Sequence, residues 1–215
     1  MPEIIPAILT ESFEELKRQI RKVDGLFPYV QLDIMDGKFV HKHSFQNPER
    51  ISEIGADIKY ELHLMVDNPR LELEKWTKVP NVFRVIAHLE SSGNIERVWQ
   101  FAKDNNWEFG IALNPDTPLE KLKPHLDCID LTMFMTVYPG RQGAPFQEKV
   151  LAKIQEYLKL EKRPKCAVDG GINLETIKNF KTLRVDTLCV GSALMMSTNI
   201  EKSYFDLKSA LENNQ

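Results

Sequence analysis

Two aspartates and one histidine have the surroundings most suggestive of chemistry in this chain. Asp33 and Asp169 lie near the ends of two apolar, strand-like segments, and His63 lies between Leu62 and Leu64. A carboxylate buried in such a segment must be paired, protonated or bound to a metal, so these side chains need partners. Two ordinary alternatives stay open at this point: each aspartate caps the following helix, and the histidine is a hydrogen-bonded core residue.

Two glycine-containing pairs suggest a second kind of site, one for an anion. Gly170 and Gly171 follow one predicted strand, and Gly191 and Ser192 follow the next. Glycines at such positions let backbone N–H groups near a helix N-terminus approach a phosphate. Either pair alone is more often a simple turn. Their joint position after two consecutive strands favours phosphate binding.

Eight strand-like segments alternate with helix-like segments and would position these residues. The strands are continuous apolar runs, typical of parallel strands covered by helices, at 3–9, 29–35, 58–65, 82–88, 108–114, 128–135, 165–170 and 186–192. Helices are predicted across 13–23, 48–54, 69–76, 94–104, 119–122, 146–157, 174–180 and 200–211, the first with Thr10 or Ser12 as its N-cap.

Eight strand–helix units predict the α/β class and a single (β/α)₈ TIM barrel domain over 1–215. A doubly wound open sheet is the alternative, but no Gly-x-Gly-x-x-Gly follows the first strand. In a barrel, the candidate site residues all fall at the carboxyl ends of strands, where ligands bind.

Composition argues against several classes of function. The 215 residues include 28 Lys plus Arg and 31 Asp plus Glu, so no overall positive field attracts nucleic acid. The N-terminus has no signal-peptide pattern, and no apolar run is long enough to span a membrane, so we expect a cytoplasmic protein. Cys128, Cys166 and Cys189 are distant from one another, and we expect three buried thiols on strands in a reducing compartment.

The chain resembles the ribulose-phosphate 3-epimerase family, of ribulose-phosphate binding barrels, over nearly its full length. The resemblance implies a carbohydrate isomerase of the pentose phosphate pathway that inverts C3 of D-ribulose 5-phosphate to give D-xylulose 5-phosphate. The matching segments are Pro6-Ala7-Ile8-Leu9, Leu32 to Val40, His63-Leu64-Met65-Val66, His88-Leu89-Glu90, Asn114 to Pro118, Met135 to Gly140, Val168 to Ile172 and Gly191-Ser192-Ala193.

The resemblance assigns the acid/base and metal-binding roles to the aspartates and the histidine. Inversion needs two acid/base groups on opposite faces of the carbon, here Asp33 and Asp169. A divalent ion, zinc, iron(II) or manganese, would be held by Asp33, His63 and Asp169 and stabilise the enediolate. At the fourth ligand position Gln31 replaces the family's histidine. A neutral amide oxygen is a poor ligand for these ions, so we expect the metal to be weakened or absent.

The resemblance also implies the remaining contacts and the assembly. Met35, Met65 and Met135, with His63, would line the substrate site, and the two glycine-containing pairs would bind the phosphate. The only partner expected is a small sugar phosphate, with no nucleic acid and no membrane, and family members commonly form dimers or hexamers, so a homo-oligomer is expected.

Two further positions depart from the family pattern. Ala7 replaces a serine whose hydroxyl would contact the substrate. The loop after the sixth strand keeps Gly140 and Gly143 as hinges and binding residues, but Arg141 replaces the apolar residue of the family pattern and Ala144 replaces its amide. Arg141 is then a candidate ligand for an anionic group.

Two alternatives to the pentose-phosphate reaction follow. One is a catalytically impaired paralogue that binds a sugar phosphate, and the other is an epimerase of a ketohexose 6-phosphate such as D-allulose 6-phosphate. Hexulose-phosphate synthase and orotidine-phosphate decarboxylase relatives are disfavoured because their Asp-x-Lys-x-x-Asp pattern is missing; Lys38 lies five residues after Asp33.

Overall fold

Eight parallel strands close into one barrel in the computed structural model, which describes residues 1–45, 47–140 and 143–212. Each strand pairs with the next along the chain, and the last pairs with the first. The predicted TIM barrel is confirmed, and each strand begins and ends within three residues of its predicted bounds. The strands are β1 Glu3–Ile8, β2 Tyr29–Met35, β3 Lys59–Met65, β4 Val82–His88, β5 Glu108–Leu113, β6 Leu131–Met135, β7 Lys165–Asp169 and β8 Thr187–Val190.

Helical segments cover the outside of the barrel. Three of the predicted helices are 3₁₀ rather than α. They are short segments that connect consecutive strands, and 3₁₀ geometry is common in such connections. A further 3₁₀ turn and the short α5 had no predicted counterpart. The α-helices are α1 Phe13–Val23, α2 Pro69–Glu74, α3 Ile95–Asp104, α4 Lys149–Tyr157, α5 Ser192–Met195 and α6 Ile200–Glu212, and the 3₁₀ turns are Pro48–Ile54, Leu119–Lys121, Lys123–Cys128 and Thr176–Phe180.

Helix α1 shows how local sequence sets these elements. Ser12 is its N-cap and accepts a hydrogen bond from the backbone N–H of Glu15, as predicted. Acidic residues occupy its first turn and basic residues its last, which suits the helix dipole. Its buried face packs on the strands and includes Phe13, Leu16, Ile20 and Val23.

The prediction that Cys128 is a buried strand thiol is wrong. Cys128 ends the 3₁₀ turn Lys123–Cys128 and is partly exposed, and β6 begins only at Leu131. Pro124 at the start of the turn favours helical geometry there. Cys166 and Cys189 are buried on β7 and β8, and burial raises the pKa of both thiols.

The barrel interior is filled by side chains rather than open. One apolar layer lies between the strands and the helices, and a second lies inside the barrel. Because this interior is packed, a ligand must bind at the rim. None of the helices that the structure describes is long and apolar enough to span a membrane. The interior layer includes Ile5, Tyr29, Ile86, Ala112, Leu131, Met133, Ala167 and Cys189.

Candidate active site

Strand register brings the two aspartates and the histidine to one level at the carboxyl rim of the barrel. Asp33 on β2 pairs in register with His63 on β3, and Asp169 is the last residue of β7. The Nδ1 atom of His63 is 3.0 Å from Asp33 Oδ1 and 3.2 Å from Asp169 Oδ2. Both aspartates therefore face the barrel mouth rather than capping the helices that follow.

Gln31 lies beneath these three side chains and contacts all of them. It is two residues before Asp33 on the same face of β2 and is fully buried. Its amide Nε2 donates to Asp33 Oδ1 at 2.8 Å and to Asp169 Oδ2 at 2.9 Å, and lies 3.4 Å from His63 Nδ1. Its Oε1 is buried and accepts no hydrogen bond from the part of the chain that the structure describes.

A second histidine fixes which nitrogen His63 turns toward the aspartates. His88 Nδ1 is 3.3 Å from Glu90 Oε2, and His88 Nε2 is 2.9 Å from His63 Nε2. Because an ionised Glu90 only accepts, His88 must donate from Nδ1 and accept at Nε2. His63 therefore donates from Nε2 and presents Nδ1 to the two aspartates.

Glu90 is itself held by the loop that follows β5. Its Oε1 accepts hydrogen bonds from the backbone N–H of Asn114 and from the Thr117 hydroxyl. Lys153 on α4 anchors this loop by donating to the carbonyl oxygens of Asn114, Pro115 and Thr117 at 3.0, 2.9 and 2.6 Å. Burial raises the pKa of Glu90, but its hydrogen bonds outweigh that effect and the net pKa is lowered, so Glu90 stays ionised.

The surroundings shift the pKa values of these groups in different directions. Burial raises the pKa of Asp33, and the nearby Asp169 adds to the rise. Burial acts to lower the pKa of His63, but hydrogen bonds with Asp169 and Asp33 outweigh it and raise the pKa to about 10. Burial lowers the pKa of His88 to about 4. The site thus combines a carboxyl whose pKa is raised, a charged imidazole and a neutral one.

One cavity at the rim is lined both by the predicted acid/base residues and by the predicted phosphate-binding residues. Met35 lies outside its wall, because its side chain packs with Val40 and Met65 under the loop after β2. Arg141 and Gln142 lie outside the described residues. The cavity is lined by Asp33, His63, Met65, Met135, Gly140, Gly143, Asp169, Gly170, Gly171, Gly191 and Ser192, and also by Ala7.

The backbone after β7 is shaped by glycine. Gly170 has a φ of 112°, and a Cβ there would lie 2.5 Å from Val137 Cγ2. The buried Thr136 hydroxyl donates to the carbonyl oxygens of Asp169 and Gly170 at 3.1 and 2.5 Å. The loop after β6 and the glycine pair after β7 are therefore in close backbone contact beside the catalytic candidate Asp169.

A model of the ribulose-phosphate 3-epimerase family matches residues 3–195. The chain belongs to this family. Among its relatives, the ribulose-phosphate 3-epimerase of Bacillus subtilis is 29% identical over 98% of this chain and 100% of its own length. The ribulose-phosphate 3-epimerase of Mycobacterium tuberculosis is 32% identical over 90% of this chain and 86% of its own length.

Solved structures of similar fold are more distant from this epimerase-family chain. The 3-hexulose-6-phosphate synthase of Salmonella typhimurium has a TM-score of 0.69 at 14% identity, over 98% of both chains. KGPDC from Streptococcus mutans has a TM-score of 0.71 at 14% identity, over 99% of this chain and 98% of that one. At this identity the likeness shows the fold alone, and it agrees with the closed eight-stranded barrel.

The metal that this family implies does not fit the donor set of this chain. Asp33, His63 and Asp169 do converge, with one ligand atom of each within 4.8 Å of the others. The fourth group is the Gln31 amide, which directs N–H bonds at both carboxylate oxygens. An N–H₂ group has no lone pair to offer a cation. The arrangement of hydrogen bonds leaves no four-ligand site.

No role was predicted from the sequence for two residues of the site, His88 and Glu90. Both stand at the end of a predicted strand, in a segment that matches the family, yet neither received a role. Their position was the available signal. What could not be read from it is the contact between His88 and His63, which depends on β3 and β4 lying side by side with the register that pairs His63 with Ile86.

Proposed function

We propose that this epimerase interconverts D-ribulose 5-phosphate and D-xylulose 5-phosphate through proton transfer by Asp33 and Asp169. The observation that supports the proposal most directly is the pairing of these two carboxyls at one cavity, from strands on different sides of the barrel mouth. The relatives named ribulose-phosphate 3-epimerase support the choice of substrate.

The reaction requires one ionised and one protonated carboxyl. The ionised one takes the C3 proton, and the electron pair moves to form an enediolate between C2 and C3. The protonated one then delivers its proton to the opposite face of C3, so the two carboxyls exchange protonation states in each turnover. Burial raises the pKa of Asp33, which suits it to the role of the proton donor.

His63 and Gln31 hold the carboxyls for this exchange. His63 Nδ1 and Gln31 Nε2 each contact both carboxyl groups, so they fix the distance between the two proton-transfer groups. A protonated His63 also supplies positive charge beside the place where the enediolate forms. Met65 and Met135 line the same cavity and exclude water from it.

The phosphate is proposed to bind at the other end of the cavity. Gly170, Gly171, Gly191 and Ser192 line it there and offer backbone N–H groups rather than charged side chains. Local amides suit a chain whose net charge is −3. We also propose that the enzyme acts in the pentose phosphate pathway and that it lies in the cytoplasm. Its only other expected partner is a second copy of the same chain, in a homo-oligomer.

A ketohexose 6-phosphate such as D-allulose 6-phosphate is the second candidate substrate. Ala7 lines the cavity and carries only a methyl group, which leaves room for an additional hydroxymethylene unit. The pentose phosphate is favoured because the named relatives are ribulose-phosphate epimerases.

The test is turnover of both sugar phosphates, with binding measured separately by calorimetry. We expect D-ribulose 5-phosphate to be epimerised faster than D-allulose 6-phosphate, and Asp116→Asn, which changes an exposed carboxylate outside this cavity, to retain turnover. Binding without turnover of either compound would contradict the proposal and support the impaired paralogue. Faster turnover of the hexose phosphate would support the second candidate.

A further inference from the structure

We infer that the Gln31 amide takes the place of a divalent ion, so that this chain holds its two aspartates together by hydrogen bonds and binds no metal tightly between them. The inference deepens the proposed function, on which its catalytic consequence rests. The hydrogen-bond geometry and the resulting metal affinity can be tested without any assay of turnover.

The amide of Gln31 bridges the two aspartates with ordinary hydrogen-bond geometry. One N–H₂ group reaches Asp33 Oδ1 at 2.8 Å and Asp169 Oδ2 at 2.9 Å. These are ordinary hydrogen-bond lengths, and the group has two hydrogens for the two oxygens. The same two oxygens are the ones that a shared ion would need as ligands. A cation placed between them would meet the hydrogens of the amide instead of a lone pair.

The orientation of the Gln31 amide also favours the hydrogen-bonded bridge over an ion. Gln31 is fully buried, and its Oε1 has no hydrogen-bond partner in the described residues. The orientation is therefore set by the two carboxylates rather than by a partner of the oxygen. Turning the amide to offer Oε1 to an ion would give up both hydrogen bonds to the carboxylates.

A second bridge, through His63, spans the same pair of aspartates. His63 Nδ1 lies 3.0 Å from Asp33 Oδ1 and 3.2 Å from Asp169 Oδ2, and its other nitrogen is held by His88. The two carboxyls are thus linked from two directions by groups of the chain itself. An ion is not needed to keep them at the separation that proton exchange at one carbon requires.

The test measures Zn²⁺ and Mn²⁺ affinity by calorimetry on the full chain after chelation, with elemental analysis of the protein as purified. We expect no stoichiometric ion in the wild type and at least tenfold tighter Zn²⁺ binding in Gln31→His, because imidazole offers a lone pair at this position. Gln31→Glu is nearly the same shape as glutamine and adds a ligand oxygen, so it should also bind more tightly even if the histidine variant folds poorly.

The matched control adds no ligand to the site. His41→Gln changes an exposed histidine of the loop after β2 and should leave the affinity unchanged. One ion per wild-type chain that is lost in Asp169→Asn would overturn the inference. An ion that persists in Asp169→Asn is bound elsewhere and is consistent with it. Unchanged affinity in both Gln31 variants would overturn it as well.

Turnover separates this inference from the proposed function. We expect chelation to change wild-type turnover of D-ribulose 5-phosphate by less than twofold. A tenfold loss that added metal restores would overturn the inference and leave the epimerase assignment in place. Absence of turnover under every condition would overturn the epimerase assignment, while the affinities would still decide the role of Gln31.

Discussion

Two clusters of buried charged residues lie at opposite ends of the barrel and differ in what balances their carboxylates. At the amino end, Arg84 donates to Glu61 at 2.6 Å and to Glu108 at 2.7 Å. At the carboxyl end, Asp33 and Asp169 are contacted by an amide and an imidazole and open onto a cavity. A guanidinium is permanently charged, whereas an amide is neutral and an imidazole can exchange its proton.

This difference in the balancing groups separates stabilising carboxylates from chemically active ones within one fold. Glu61 is buried and paired with a cation that cannot lose its proton, so the amino-end cluster keeps a permanent positive charge. The carboxyl-end cluster lacks a permanent cation among the residues in contact, and its charge depends on titratable side chains. Removal of one residue should therefore impair folding at one end and chemistry at the other.

The largest expected effect is on turnover, at the carboxyl end. Asp33→Asn and Asp169→Asn each remove one acid/base group, which should lower epimerase turnover by about 10³-fold. Phosphate-ester binding should change only a few-fold, because neither substitution alters the residues proposed to bind the phosphate, Gly170, Gly171, Gly191 and Ser192. A steady-state assay and calorimetry on each variant check this. More than a tenth of wild-type turnover in either variant would contradict the acid/base role of that aspartate.

At the amino end we expect a large loss of stability with little change in chemistry. Arg84→Met leaves Glu61 buried without its cation and should lower the free energy of unfolding by about 3–5 kcal/mol. Urea denaturation measures this, and turnover per folded molecule should stay within twofold. The double variant Arg84→Met/Glu61→Gln is the matched control and should recover part of the loss. A loss in Arg84→Met no greater than in the double variant would contradict the account.

We expect the stability of the protein to depend on pH through His88, which belongs to the cluster at the carboxyl end. Burial lowers the pKa of His88 to about 4, against 6.5 in the unfolded chain. The unfolded chain therefore binds a proton first as the pH falls, and the contribution of His88 to stability is complete above 6.5 and is lost as the pH approaches 4. Between pH 7.5 and 5 the loss is about 2 kcal/mol.

This pH effect is measured as a difference between two proteins. Urea denaturation of the wild type and of His88→Gln at both pH values cancels the contributions of other groups. The stability advantage of the wild type should be about 2 kcal/mol smaller at pH 5 than at pH 7.5. An advantage that stays constant or grows would show that His88 is not held neutral by its surroundings.

The smallest effect is expected from the loop that holds Glu90. Thr117→Val removes one hydrogen-bond donor from Glu90 while keeping the shape of the side chain, and should cost about 1 kcal/mol of stability. Turnover should fall by less than threefold, because Asn114 and His88 still hold the carboxylate. Thermal denaturation and a turnover assay test this. A tenfold fall in turnover would contradict this and would indicate that Glu90 takes part in the reaction instead of only positioning His88.

The sequence was sufficient for the barrel and for the convergence of the aspartates with His63. Continuous apolar runs mark buried parallel strands, and polar residues at their carboxyl ends must meet at one rim. The position of Gln31 was visible, but its contact with both carboxylates was not, because β2, β3 and β7 together set it. The prediction that Cys128 lies on a strand was wrong because apolar content alone does not distinguish a strand from a 3₁₀ turn.

The central claim is that Asp33 and Asp169 exchange the C3 proton without a tightly bound ion. Proton NMR of D-ribulose 5-phosphate in D₂O with the chelated wild-type protein tests it most directly. We expect D-xylulose 5-phosphate to form and solvent deuterium to appear at C3. An unchanged C3 proton signal with the chelated protein would contradict the claim.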